Sequence, residues 1–364
     1  RKSLQLEPDN QSSLVLQNRL LLETGQPELA LSNMLEMTRK NPQDTDLLLN
    51  YARMQVLAKR YPEALKSFAQ VLKKKPDDPD LIYSTALLEL ELKQFDQSER
   101  YFKQLLSTES HVNEANYYLG EIAEEKQQYD VSIGWYNKVK EGEYYLEAQI
   151  RIAQMLTELG QKDEARAHLV RLRKMQSHDS VKTRLILAEG QLLQEQGNFD
   201  ESMALFTGAL KEYPDNIELL YGRAMVGESM GQLDILERDL QAILKLEPDN
   251  ATALNALGYT LADRTNRYSE AEELIKKALA LKPDDAAILD SMGWVLYRKG
   301  NLQGALKYLR KAWSKNQDPE IGSHLTQVYW ELGQNDNARK TLEEALVSAP
   351  DDDRLLKLKK QLNQ

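Results

Sequence analysis

Residues 284–317 read DDAAILDSMGWVLYRKGNLQGALKYLRKAWSKNQ, and this 34-residue stretch decides the fold. Asp284 and Asp285 open it, and Ala287, Leu289, Met292, Trp294 and Leu296 mark a first apolar helical pattern. Lys299-Gly300-Asn301 interrupts that pattern. Ala305, Leu306, Leu309 and Ala312 then recur at a spacing that puts them on one face of a second helix. Ala305 is also one beat of a longer rhythm. Ala30, Ala64, Ser98, Ser132, Ala165, Ser202, Leu236, Ala271, Ala305 and Ala338 are separated by steps of 34, 34, 34, 33, 37, 34, 35, 34 and 33. Only Leu236 is not small. A period of this length signals a solenoid of stacked units, each of which buries its apolar face only against its neighbours.

Two further marks keep the same time. Gly25, Gly160, Gly197, Gly231, Gly300 and Gly333 lie five residues before the small position. A glycine there takes positive φ at little steric cost and suits a helix C-terminus. Pro42, Pro76, Pro214, Pro248, Pro283 and Pro350 lie twelve residues after it. Proline ends the second helix, and the Asp or Asn that follows most of these prolines caps the next one. Ser110, Tyr144, Ser177 and Gln317 stand where proline is missing, which predicts looser or differently angled junctions. The long step into Ser202 predicts a longer turn near Ser177 to Lys182. A second small series, Ala52, Ala86, Gly120, Ala153, Gly190 and Ala224, with Gly258 and Gly293 after small shifts, falls on the first helices. Small residues on both helices allow a close antiparallel crossing.

Composition narrows the function classes. The net charge of −10 argues against nucleic-acid binding, which needs a basic face. No cysteine is present, which excludes disulfides, thiolate zinc sites and cysteine nucleophiles. His111, His168, His178 and His324 show no metal-ligand spacing, and no phosphate-loop, dinucleotide or nucleophile-elbow pattern occurs. No cofactor is therefore expected. Paired carboxylates such as Glu124-Glu125 read as solvated helix faces. No apolar run reaches the ~18 residues of a membrane span. The chain begins at Arg1 rather than Met, and Leu4 to Asn10 closely repeats Leu244 to Asn250. Residues 1–8 are thus expected to be the tail of a preceding repeat.

Ten helix–turn–helix units with these two small positions, a large residue four after the second (Phe68, Phe102, Tyr136, Phe206) and proline at the end resemble the tetratricopeptide repeat. The units fall at 9–42, 43–76, 77–110, 111–144, 145–177, 178–214, 215–248, 249–283, 284–317 and 318–350, with 351–364 as a capping helix. The resemblance implies an all-α, right-handed solenoid whose first helices line a concave groove that binds other proteins. Projected onto this chain, the groove rows hold Tyr83, Tyr117, Tyr221, Asn255, Tyr259, Asp290, Trp294, Tyr297, Arg298 and Trp330. The same rows hold Glu121, Glu124, Glu125, Glu158, Glu195, Glu228, Asp263 and Glu331. Tyrosine and tryptophan there serve as amphipathic anchors for a partner, or simply pack between repeats. Gathered carboxylates favour basic or weakly charged partners. Family members that hold a terminal carboxylate use a Lys/Asn/Arg clamp. Arg19, Asn50 and Arg53 lie in the corresponding rows without completing it.

Residues 253–264 (ALNALGYTLADR) and 290–298 (DSMGWVLYR) bear a narrower resemblance, to proteobacterial outer-membrane lipoproteins with such arrays. One of these is the partner of a periplasmic carboxyl-terminal processing protease and brings cell-wall hydrolases to it. That resemblance implies a non-enzymatic adaptor, periplasmic and tethered through a lipid on an upstream cysteine. A cytoplasmic assembly scaffold or co-chaperone, and the repeat arm of a larger enzyme, are the competing classes.

Overall fold

The computed structural model describes residues 11–362, and among them every regular element is an α-helix. The expected tail of a preceding repeat, residues 1–8, lies outside the described residues. The chain divides after Met175 into two compact units. The first holds α1 (Gln11–Glu23), α2 (Pro27–Lys40), α3 (Thr45–Leu57), α4 (Tyr61–Leu72), α5 (Pro79–Glu91), α6 (Phe95–Leu106), α7 (Val112–Glu125), α8 (Tyr129–Tyr136), α9 (Tyr145–Glu158) and α10 (Lys162–Met175). The second holds α11 (Asp179–Glu195), α12 (Phe199–Glu212), α13 (Ile217–Ser229), α14 (Leu233–Leu246), α15 (Ala251–Arg264), α16 (Tyr268–Leu281), α17 (Ala286–Arg298), α18 (Leu302–Lys315), α19 (Pro319–Glu331), α20 (Asn335–Ser348) and α21 (Asp353–Leu362). Odd-numbered helices are the first helices of their pairs up to α19, and each packs on the helix that follows it. The last helix, α21, packs on α19 and α20.

The small positions explain the pairing. All nine Ala or Ser residues are fully buried, and Leu236 is 1% exposed. Where serine is used it does more than stay small. The hydroxyls of Ser98, Ser132 and Ser202 donate to the carbonyls of Ala86, Gly120 and Gly190 at 2.8, 2.9 and 3.0 Å. Each bond ties a second helix to the small residue of its own first helix, twelve positions earlier. A β-carbon on Gly120, Gly190, Gly258 or Gly293 would meet Tyr136, Phe206, Ile275 or Leu309 at 2.3 to 2.6 Å. The large residue of the second helix therefore lies directly over the small residue of the first.

The turn inside each pair is left-handed in nine of the ten units. Six carry glycine, and the other three carry Lys59, Lys93 and Gln127 with φ of 57, 57 and 56°. The reversal fixes the backbone and the residue type follows only in part. A non-glycine residue there costs about 1–2 kcal/mol, partly offset by the backbone entropy glycine would lose. Lys59→Gly is expected to raise stability by about 0.5–1 kcal/mol, read from the urea midpoint of the first unit.

Between pairs, Asp44, Asp78, Asn216, Asn250 and Asp285 cap the first helices, with side-chain oxygens 2.9–3.1 Å from amides of the first turn. The proline-free junctions take different routes. Around Ser110, Glu109 and His111 are both left-handed, with φ of 57 and 52°. Before Tyr144, α8 stops after 8 residues. At Gln317 the path is regular, because Asp318 caps α19 and Pro319 opens it. At Ser177 the expected longer turn does not form. Only residues 176–178 separate α10 from α11, and α11 runs for 17 residues. The surplus goes into helix, where Lys182 can reach back to Asp179 at 3.2 Å.

Candidate functional site

In the second unit, α13, α15, α17 and α19 enclose a cleft of about 470 Å³. Five of the groove residues expected from the sequence line it: Tyr221, Glu228, Asn255, Tyr259 and Asp290. They stand on successive first helices because the 34-residue step returns each row to the same face. Asp318 and Glu320 add further carboxylates, and no lysine or arginine lines the cleft. Burial pushes the Glu228 carboxyl above the usual carboxylate range, with Arg264 opposing and Glu320 and Asp263 adding to the rise. The Tyr259 hydroxyl donates to Glu320 at 2.7 Å, and burial followed by the Glu320 charge raises its pKa far above the usual phenol value. Asn255 Oδ1 is buried without a hydrogen-bond partner among the described residues.

A packed polar block supports the cleft. His324 Nδ1 lies 3.0 Å from both carboxylate oxygens of Asp290. Burial pushes Asp290 up, and His324 partly counters it. Trp294 stacks on His324 at 4.0 Å between centroids and on Tyr297 at 4.9 Å. Its indole N–H donates to Asp263 at 3.2 Å, and only 9% of the residue is exposed. Arg298 donates to the Asp263 carbonyl at 2.8 Å and to the Tyr268 hydroxyl at 3.1 Å. Tyr297 donates to Glu331 and accepts from Gln327, and its hydroxyl is pushed up to about 12 by burial and then by Glu331. Trp330 packs elsewhere, against the terminal core of α20 and α21 around Leu342 and Leu355. Trp294, Tyr297 and Arg298 thus hold the wall of the cleft rather than line it.

The remaining expected residues lie in the first unit. Tyr83 stacks on His111 at 4.7 Å, and Tyr117, 8% exposed, packs among Tyr118, Tyr136 and Tyr144. Glu124 accepts from the Tyr136 hydroxyl and from Arg151, each at 2.9 Å. Burial raises Glu121, and Arg151 opposes that rise. Glu124, Glu125 and Glu158 share a smaller cleft of about 330 Å³ with Met155. In the second unit, Glu195 is exposed on α11 and accepts from Gln191 at 3.0 Å. The sequence reading missed His324. The available signal was its offset of 34 from Asp290, the same row one unit later. Among the described residues, no group of three or more His, Asp or Glu side chains is placed to hold a metal ion. No described helix is long and apolar enough to cross a membrane.

Two tetratricopeptide-repeat family models match the chain. One covers residues 21–88 and 296–362, and the other covers 83–145, 187–235, 229–286 and 261–319. The chain belongs to the tetratricopeptide repeat family. The TPR repeat-containing protein PA4667 of Pseudomonas aeruginosa is 39% identical over 190 residues, which is 52% of this chain and 32% of that protein. The chain therefore spans under a third of that relative's length. A solved thermophilic TPR protein of Thermus thermophilus, TTC0263, is 25% identical over 50% of this chain and 96% of its own, with a TM-score of 0.44. The Cut9–Hcn1 hetero-tetramer of the APC/C aligns over 97% of this chain and 84% of its own at 15% identity, with a TM-score of 0.50, and shares the fold. The tetratricopeptide repeats that the family models match make the chain a scaffold for binding protein or peptide partners.

Proposed function

We propose that the chain is the adaptor region of an outer-membrane lipoprotein that faces the periplasm. It binds a carboxyl-terminal processing protease and helps deliver protein substrates, such as cell-wall hydrolases, to it. It catalyses nothing itself. The observation that carries the docking part of this reading is the cleft on α13, α15, α17 and α19. The two segments with the narrower lipoprotein resemblance, 253–264 and 290–298, fall on α15 and α17 and supply Asn255, Tyr259 and Asp290 to it. Tyrosines in a concave acidic site give a partner segment rigid apolar contacts, and the carboxylates favour its basic side chains.

The test pairs delivery with binding. Degradation of a purified hydrolase by the protease is measured with and without the chain, beside co-purification of all three. Glu228→Lys with Thr252→Lys places two cations in the cleft, and Thr252 is exposed. This variant is expected to lose about tenfold in partner recovery and in stimulated degradation, with an unchanged helical spectrum. Equal recovery and equal degradation would remove the cleft from the reading. Palmitate labelling of the full-length protein tests the lipid tether, and unlabelled protein in the cytosolic fraction would overturn it.

A further inference from the structure

The first unit carries a second cleft of opposite chemistry. It measures about 760 Å³ and is lined mainly from α1, α3 and α5, with Tyr61 and Phe68 from α4. Its walls are mainly apolar, with Val15 and Leu16 from α1, Val56 and Leu57 from α3, and Leu87 from α5. Leu16 and Leu57 are 59% and 57% exposed. Two large aliphatic side chains left this open on neighbouring first helices, both lining one cleft, mark an interaction surface rather than scattered exposure.

The charge on this surface is positive in a chain whose net charge is −10. Arg19 and Arg53 line the cleft, and Glu91 is the one carboxylate among its lining residues. Arg19 pairs with Glu23 at 3.4 Å across one exposed turn, a contact worth little. Arg53 is exposed and has no ion pair or hydrogen bond among the described residues. Asn50, one turn earlier on α3, adds a polar donor. A guanidinium beside apolar surface is suited to a carboxylate brought by another chain, because it forks onto both oxygens and desolvates more easily than an ammonium.

We propose that this cleft docks an amphipathic helix of a partner protein, with a ridge of large aliphatic side chains and an internal Asp or Glu that pairs with Arg53. The apolar walls decide that the carboxylate is internal. They lie on both sides of Arg53, with Leu16 on α1 and Leu87 on α5, so a bound segment continues past the charge in both directions. A terminal carboxylate would leave one wall uncovered. The aliphatic ridge fits the groove as helices fit other apolar grooves, through residues at i, i+3 or i+4 and i+7. This docking is independent of the acidic cleft of the second unit, and together the two surfaces would let one chain hold two chemically different partners.

The test is selection from a random 18-residue peptide display library on the immobilised full chain, with Arg53→Glu/Leu57→Glu as the counter-selection. Both side chains are exposed, so the variant is expected to keep the wild-type helical spectrum. The expected winners are amphipathic, carry an internal acidic residue and are lost on the variant. Replacing that residue by Asn or Gln in the best peptide is expected to weaken binding about tenfold by fluorescence anisotropy, and Arg53→Ala is expected to erase that difference. The second-unit variant Glu228→Lys with Thr252→Lys is expected to bind the peptide as wild type does. An absence of Arg53-dependent enrichment, winners that are basic, or winners that need a free C-terminus would each overturn the proposal.

Discussion

Asp239→Ala is expected to lower the stability of the second unit by about 3–5 kcal/mol. Asp239 is 1% exposed on α14. Arg223 on α13 meets it with two parallel bonds, Nε to Oδ2 at 2.6 Å and Nη2 to Oδ1 at 2.8 Å. Arg238 adds a third at 3.1 Å from the exposed side. Removing the carboxylate leaves the Arg223 guanidinium largely buried without its partner, and that stranded charge is the main cost. Replacing both members by apolar residues of similar size, Arg223→Met with Asp239→Leu, should restore most of the loss, because neither charge is then desolvated. Urea unfolding followed by tryptophan fluorescence reports mainly this unit, since three of the four tryptophans, Trp294, Trp313 and Trp330, belong to it and Trp135 alone belongs to the first. A loss below about 1 kcal/mol for Asp239→Ala would show that water or relaxation compensates the arginine.

This pair also shows where reading the chain reached its limit. Leu236 was legible as the lapse in the small-residue series. The ion pair that accompanies it was not, because Arg223 and Asp239 are 16 positions apart and neither letter breaks a pattern. The helix pairs were legible for a simple reason. A gap the size of one methyl group must recur wherever two helices cross closely, so the period appears directly in the letters Ala, Ser and Gly. The serine-to-carbonyl bonds were hidden by the same fact, since Ala and Ser fill that gap equally well. The long step into Ser202 pointed to a longer turn near Ser177, because extra residues in a repeat usually lengthen a connection. Without proline, nothing prevents the helix from starting early, and α11 takes up the extra residues.

The site divides in the same way. Tyr221, Asn255, Tyr259 and Asp290 came together because a row read at steps of about one period stays on one face. Trp294 and Arg298 were projected into the same rows, yet their side chains turn toward Asp263, His324 and Tyr268. Row position places the Cα, while the neighbour one unit away decides where a long side chain goes. Asp290 with His324 and Tyr297 with Glu331 are both separated by 34 residues. A search for polar partners at one period would have found both. The first-unit cleft was harder to see, because Leu16, Leu57 and Leu87 are the letters of an ordinary helical core.

Phe206 provides the second large expected effect. It is 1% exposed, and its ring is held between two glycines on adjacent first helices. A β-carbon on Gly190 of α11 would lie 2.3 Å from Phe206 Cζ, and one on Gly222 of α13 would lie 2.8 Å from it. The ring therefore fills space that alanine at either glycine would deny it. Phe206→Ala is expected to cost about 3–5 kcal/mol, from lost burial plus a cavity that two helix backbones cannot collapse to fill. Gly190→Ala creates the opposite fault, overpacking, with an expected cost of about 1–3 kcal/mol, since the ring must shift against α13. The two faults should cancel in part. In Gly190→Ala/Phe206→Leu the new methyl group occupies room that the smaller side chain gives up. That double variant should be more stable than the sum of its single changes predicts, by at least about 1 kcal/mol, as expected for residues in direct contact. Urea midpoints of Gly190→Ala, Phe206→Leu and the double variant that combines them measure the coupling. Strict additivity would mean that the ring escapes by rotating, and that the glycines are retained for the backbone of the first helices rather than for Phe206.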